Sequence, residues 1–423
     1  MEVFIKNANL LSPADRMHAV GDILVRDGKI AAVGTVSVEH FNGKIIDAEG
    51  LTAMPGLVDM HVHLRDPGQT QKEDILSGCR AAAAGGVTSL LCMPNTNPTV
   101  DSAETVRYIL DKAKDAAAKV YVAACITKGL KSEEPTDLEA LRAAGAIGLS
   151  DDGRPVENTR FLRDAMNQAP ALGMTVVAHC EDLFLANGGK INEGAVSAQL
   201  GVKGIPAAAE DCGTAREIAL AAADNVPIHI CHVSTKTSVA LVRDAKRRGV
   251  KVTAETAPHY VALTEQALLT RDADFRMNPP LRTAADVQAV IEGLADGTLD
   301  CIATDHAPHT PAEKADFEKA PNGSIGMETS FAVCNTYLVK TGVLTLEQLV
   351  EKMSVHPAKI LGIEAGTLSV GAPADIVLVN PDEQWTVDVD KLHGKSKNTP
   401  FKGMTLTGKV KMTLLNGEVV FES

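Results

Sequence analysis

The sequence predicts an α/β fold, a (β/α)8 barrel of the TIM type carrying a small composite β-domain built from both termini. Three features predict it. Short apolar runs alternate with longer amphipathic stretches eight times between residues 57 and 304, as a parallel barrel requires. The intervening stretches are rich in alanine, and many open on Ser, Thr, Asp or Asn, the residues that cap helix N-termini. Both ends of the chain instead carry β-hairpin signals. A doubly wound open sheet is the competing arrangement.

In chain order, residues 1–54 contain Asp27-Gly28 between Gly21–Arg26 and Lys29–Gly34, a pair that suits a two-residue hairpin turn. Pro55 and Gly56 then punctuate the pattern, and the barrel is expected over 55–365. Its strands are read at 57–62, 87–93, 120–126, 146–150, 174–179, 226–231, 251–255 and 300–304, with helices such as 102–118, 136–144, 158–172, 210–224, 236–248 and 284–297. Segment 306–326 has proline, glycine and charge without periodicity, and is read as a loop over the barrel mouth. Beyond Gly366 the hairpin signal returns with Asn416-Gly417 between Val410–Leu415 and Glu418–Phe421, so 1–54 and 366–423 are read together as one β-sandwich domain.

Composition narrows the function classes. At 423 residues with 45% hydrophobic content the chain can bury a large core, as enzymes do. A formal net charge of −13 with no basic patch argues against nucleic acid or an anionic membrane as partner. No apolar run has the length of a membrane span, and the first residues lack a signal-peptide pattern, so the cytoplasm is the expected compartment. The eight cysteines are scattered without a Cys-x-x-Cys pair, which indicates neither a disulfide framework nor a thiolate metal site. The match of Asn322-Gly323-Ser324 to a glycosylation sequon is read as chance.

Chemistry gathers at predicted strand ends. His61 and His63 flank Val62 after an apolar run, so in an extended strand they share a face about 6.6 Å apart and can share a metal. Alone, such a pair reads equally well as core histidines. Asp151 and Asp152 follow strand 4, His179 ends strand 5, His232 follows strand 6 and Asp305 ends strand 8. Five strands thus deliver ligand-type residues to one barrel rim, where this fold places its chemistry. Imidazoles with carboxylates suit zinc, and two carboxylates allow a second ion. Strand parity turns His229 away from the site, as a packing or hydrogen-bonding residue, and lets one of Asp151 and Asp152 point in. Arg65, two residues beyond His63, shares its face if the chain stays extended, and its guanidinium can grip a carboxylate through two parallel hydrogen bonds. His259 and His356 are read as structural.

Several motifs together carry a resemblance: Asp59 to Gly68 around the histidine pair, Met93-Pro94-Asn95-Thr96, Ser150-Asp151-Asp152-Gly153, Ala178-His179-Cys180-Glu181, Cys231-His232-Val233-Ser234, Asn278-Pro279-Pro280-Leu281-Arg282 and Thr304-Asp305-His306-Ala307-Pro308-His309. Over nearly its whole length the chain closely resembles the long bacterial dihydroorotases of the amidohydrolase superfamily. The resemblance implies two Zn2+ ions, with His61 and His63 on one, His179 and His232 on the other, and a bridging carboxylate. Many superfamily members bridge with a carbamylated lysine after strand 4; aspartates stand there instead, with Asp152 the expected bridge and Asp151 the fallback. It further implies Asp305 as metal ligand and proton shuttle for a metal-activated hydroxide, and a substrate pocket of His63, Arg65, Asn95, Asn278, His309, Asn322 and Gly323. For Asn95, turn chemistry after Pro94 is the competing reading.

The implied reaction is the reversible cyclisation of N-carbamoyl-L-aspartate to (S)-dihydroorotate and water in pyrimidine synthesis. A homodimer is the implied assembly, and aspartate transcarbamoylase a candidate partner. Two other classes compete: a hydantoinase, dihydropyrimidinase or allantoinase, against which the missing lysine and Arg65 weigh, and a metal-free scaffold for transcarbamoylase, against which the complete ligand set weighs.

Overall fold

A computed structural model of the chain describes residues 2–37 and 41–423; Met1 and residues 38–40 of the predicted terminal β-unit lie outside the described residues. Eight parallel strands form the barrel: Leu57–Val62, Val87–Cys92, Lys119–Ala124, Gly148–Leu149, Thr175–Ala178, Ile228–Ile230, Val252–Thr256 and Cys301–Ile302, each paired with the next. A parallel bridge between Val62 and His306, with the His63 amide donating to the His306 carbonyl at 2.8 Å, joins the first strand to the segment after the last. This seam nearly closes the barrel, and the open-sheet alternative falls.

Every predicted barrel strand is present, several of them shorter than read. Strand 8 has two ladder residues and strand 6 three, because beyond them the backbone turns out of the ladder to present His232 and Asp305. The helix read over 102–118 stops at Lys112 despite the alanines that follow, and Ala118 is buried where the chain enters strand 3. Packing there overrides helix propensity. Between strands 1 and 2 stands a helix, Ile75–Ala84, started by an Asp74 carboxylate that accepts from the Ser77 amide, with the Ser77 hydroxyl returning to Asp74.

Two apolar layers result. Residues from inside the barrel, including Val58, Met60, Leu91, Met93, Ala123, Val177, Cys231 and Cys301, pack with Ala358 and Leu361 of helix His356–Leu361, which plugs the floor. A larger layer, including Leu57, Leu90, Val122, Leu149 and Val176, packs the barrel's outside against its helices. His356 fits its structural reading, with Nδ1 against the Asp300 carbonyl at 3.0 Å.

Strands from both ends form one eight-stranded sheet. Its order is Glu418–Glu422, Thr405–Leu415, Ile376–Thr386, Thr52–Pro55, Glu2–Ser12, Met17–Arg26 and Lys29–Gly34, with Lys44–Asp47 parallel to Glu2–Ser12. Both expected hairpin turns are present, with positive φ at Asp27 and Gly28 and at Asn416 and Gly417. Period-two alternation divides the sheet's faces: Ile376 and Leu378 join its own core, whereas Val377 and Val379 pack into the barrel layer. Among the described residues no helix is long and apolar enough to cross a membrane.

Candidate active site

At the C-terminal ends of the strands a cavity of about 250 Å³ is lined by His63, Arg65, Asn95, Asp152, Gly153, His179, His232, Asn278, Asp305, Ala307, His309, Asn322 and Gly323. His61 lies just beneath, fully buried. Apart from the fallback Asp151, the residues proposed from sequence therefore meet in one place. A larger hollow of about 850 Å³ lies against the terminal sheet beside Trp385, Leu392 and Phe421. None of the ligand-type clusters found among the described residues lies there.

Asp152 is the centre of the cluster. Its Oδ1 lies 3.3 Å from His61 Nε2, 3.4 Å from His179 Nδ1 and 3.6 Å from His232 Nε2, while Oδ2 lies 3.4 Å from His63 Nε2. Asp305 Oδ1 lies 3.1 Å from His63 Nε2 and 3.6 Å from His61 Nε2. Asp151 points elsewhere. Its carboxylate accepts from the Ile126 and Thr127 amides and from the Thr127 hydroxyl, holding the end of strand 3 against strand 4.

The donor set fits a pair of divalent cations. His61 Nε2 and Asp152 Oδ1 are buried without a hydrogen-bond partner although they face each other, an arrangement that a cation between them would satisfy. His179 Nδ1 and His232 Nε2 converge to 2.9 Å, as two ligands of one ion can. Charge says the same. Burial pushes the Asp152 carboxyl up, but the charge of His61 and the close approach of the His179, His232 and His61 ring nitrogens outweigh it and hold the group well below its usual range. Burial opposes a charged His179, yet the adjacent Asp152 carboxylate and a hydrogen bond to Glu181 raise it to about 10. The cluster demands positive charge, and metal ions would supply it. Asp305 is also held low: burial is overcome by the His63 hydrogen bond and the charges of His61, His63 and His232.

Ligand orientation comes from the outer nitrogens. His61 Nδ1 meets Glu255 Oε1 at 3.2 Å, His63 Nδ1 meets Asn95 Oδ1 at 2.8 Å, and His179 Nε2 meets Glu181 Oε2 at 3.1 Å. Such contacts fix which ring nitrogen faces a metal. Backbone geometry is unusual where it aims these groups: Arg65, His232 and Asp305 have φ of 60°, 38° and 48°. Non-glycine residues adopt such values at a cost that functional sites tolerate.

Two local readings from sequence are corrected. Arg65 does not reach the cavity along an extended strand; the chain turns left-handed at it, and Nε donates to the Pro308 carbonyl at 3.1 Å. His229 does not face away. It points inward one layer below the ligands, hydrogen-bonded to Glu255 and Thr253, whereas His232 lies beyond the ladder, where parity no longer holds.

The wall opposite the ligands suits an anion. Arg65 is buried, and burial lowers its guanidinium to about 10, still a cation at neutral pH. His309 Nε2 lies 3.3 Å from Arg65 and 3.0 Å from the Asn322 carbonyl; burial, then Arg65 and Lys72, lower it to about 3, so it is neutral. Gly323 has φ of 138°, and a Cβ there would stand 2.8 Å from the Ala307 Cβ and 3.0 Å from His309 Nε2. Asn278 Nδ2 donates to Glu181 Oε2 at 3.1 Å.

Sequence reading missed Glu181, Glu255 and Asn398. Glu181 lies two residues from His179, and a carboxylate within the apolar run of strand 7 marks Glu255; both were visible signals. Asn398 carried none: it comes from the C-terminal segment, accepts from the His309 amide at 3.1 Å and donates to the Ala307 and Gly323 carbonyls.

Comparison with known proteins agrees with this geometry. Residues 52–420 match the Amidohydrolase family. The dihydroorotase of Acetivibrio thermocellus is 51% identical over 420 residues, covering 99% of this chain and 98% of the relative. That of a Geobacter species is 49% identical over the full length of both. Among solved structures, the L-hydantoinase (dihydropyrimidinase) from Arthrobacter aurescens superposes with a TM-score of 0.89 at 28% identity, covering 99% of this chain and 96% of its own. The dihydropyrimidinase from Brevibacillus agri superposes at 0.88 with 26% identity, covering 100% and 95%. The chain belongs to the amidohydrolase family and, within it, to the dihydroorotase group.

Proposed function

We propose that this chain is a zinc-dependent dihydroorotase, interconverting N-carbamoyl-L-aspartate and (S)-dihydroorotate in pyrimidine synthesis. The observation that carries the choice of substrate is Arg65, a buried cation across one cavity from the ligand cluster. Dihydroorotate has a ring carboxylate to meet it, whereas hydantoin and dihydrouracil have none. The structural neighbours that are hydantoinases share the barrel at 25–28% identity, a likeness of scaffold.

His61, His63, His179, His232, Asp152 and Asp305 would hold the ions. Two bound cations supply Lewis acidity, lowering the pKa of a water and polarising a carbonyl. Arg65, Asn95 and His309 orient the substrate carboxylate, with Asn278 and the backbone at Asn322 and Gly323 against the ring. In ring opening, Asp305 takes a proton from the attacking water as the new C–O bond forms, then delivers it to the ring nitrogen as the C–N bond breaks. Cyclisation runs the same steps backwards. Residues 1–54 and 366–423 serve in this reading as an accessory domain on a 55–365 barrel. A homodimer, a cytoplasmic setting and aspartate transcarbamoylase as partner complete it.

The test is zinc-supplied protein assayed on dihydroorotate, hydantoin, dihydrouracil and allantoin. Dihydroorotate should be opened most efficiently; preference for hydantoin would overturn the assignment. Because cyclisation consumes a proton, each unit fall in pH should shift the equilibrium ratio about tenfold toward dihydroorotate over the range where both carboxylates are ionised. A ratio independent of pH would refute the reaction.

A further inference from the structure

Beneath the ligand cluster a row of hydrogen bonds runs down the barrel interior. His61 Nδ1 lies 3.2 Å from Glu255 Oε1; Glu255 Oε2 lies 3.1 Å from His229 Nε2; His229 Nδ1 lies 2.8 Å from Thr253 Oγ1. His61, Glu255 and His229 are at most 1% exposed. These groups come from strands 1, 6 and 7, and strand 7 supplies none of the expected metal ligands. The row ends at the far face, where Thr253 and His229 form part of the wall of a second cavity of about 380 Å³.

Hydrogen-bond polarity orients the row. Glu255 sets the two oxygens of one carboxylate against two ring nitrogens, Oε1 against His61 Nδ1 and Oε2 against His229 Nε2, and a carboxylate only accepts. Both facing nitrogens must then donate: His61 at Nδ1 and His229 at Nε2. A neutral His229 that donates at Nε2 has a lone pair at Nδ1, which the Thr253 hydroxyl fills. A His61 that donates at Nδ1 presents its lone pair at Nε2, the nitrogen facing Asp152 and Asp305. The other histidines lack such a line: Asn95, on the cavity wall, backs His63, Glu181 backs His179, and His232 Nδ1 has no hydrogen-bond partner among the described residues.

We infer that Thr253, His229 and Glu255 are positioning residues that lock His61 in its metal-binding tautomer and so govern retention of the ion on the His61–His63 side. This rests on the binuclear reading above. The relay has a signature that packing alone lacks. In Glu255→Gln one acceptor becomes an amide donor. Turned toward His229, that donor requires His229 to accept at Nε2 and carry its proton at Nδ1, which the Thr253 hydroxyl can absorb by reversing. In Glu255→Gln/Thr253→Val that escape is closed, and the donor is forced against His61 Nδ1, moving the proton to Nε2.

The experiment is chelator competition on full-length zinc-loaded chain, with metal counted per subunit, for the wild type, Glu255→Gln, Thr253→Val and the double variant. Thr253→Val should stay within about twofold of wild type. Glu255→Gln should weaken one of the two zinc equivalents several-fold, and the double variant should weaken the same equivalent about 10–100-fold, more than the two single effects multiplied. Multiplicative behaviour, equal weakening of both equivalents, or wild-type retention in all variants would overturn the inference. A second measurement needs no change at Glu255. In the zinc-loaded wild type, 15N–1H correlation of the His229 ring, assigned by its loss in His229→Gln, should show the Nε2–H tautomer, and the Nδ1–H tautomer would overturn the relay. Failure of the dihydroorotase reading is separate, appearing as a wild type that binds no zinc or leaves dihydroorotate intact.

Discussion

The two halves of the cavity are built differently. On the ligand side, His61, His179, His232 and Asp152 project from strand ends, nearly all buried, and contact one another side chain to side chain. On the anion side, Arg65, His309, Asn322 and Gly323 belong to loops and are held largely by backbone carbonyls and by Asn398 from the far end of the chain, and Asn278, also in a loop, donates to Glu181. Asn95, Asn278 and Asn322 are half-buried. The first half is set when the barrel forms. The second depends on loops whose conformation is carried by a few hydrogen bonds, so it is where substrate preference can change without disturbing the fold.

Substitutions should separate the halves. Asp305→Ala removes the proposed proton carrier and is expected to cost the largest factor, about 10³ in kcat for dihydroorotate; a variant retaining a tenth of wild-type turnover would remove Asp305 from that role. Arg65→Gln acts on the anion side alone. It should lower kcat/KM for dihydroorotate about 10–100-fold while zinc content stays at the wild-type value, and an equal loss of metal would erase the division. The smallest effect concerns stability. Burial holds His259 at about 4, outweighing the charge of Asp305, whereas in the unfolded chain it titrates near its ordinary value of 6.5. Between those values the unfolded state binds the extra proton, so folding stability falls as pH is lowered from 6.5 toward 4. Thermal unfolding midpoints should therefore decline less steeply over that window in His259→Gln than in wild type; parallel profiles would sink the assignment.

The same division explains what could be read from sequence. The ligand half was legible because a strand end has regular geometry: His61 and His63 lie two apart, and each later ligand follows an apolar run. Choosing Asp152 over Asp151 needed the resemblance, since parity fails at a strand end; in the fold, Asp151 is spent on the strand 3 loop. Parity also failed for His229, because strand 6 ends at Ile230 and His232 sits past it with positive φ. In the anion half, Arg65 was found for the wrong local reason, and Asn278, His309 and Gly323 came from motif resemblance alone. Asn398 lies 89 residues from the His309 it steadies, with no local pattern to mark it.

The seam between Val62 and His306 brings the beginning and end of the barrel side by side, with His63 and Asp305, 242 residues apart, at 3.1 Å. A chain emerging from the ribosome carries the histidine pair long before its acidic counterpart is made. Until the eighth strand docks, those imidazoles have no Asp305 beside them, so in the proposed two-cation site full occupancy would belong to the finished barrel, and cation loading would report on late folding.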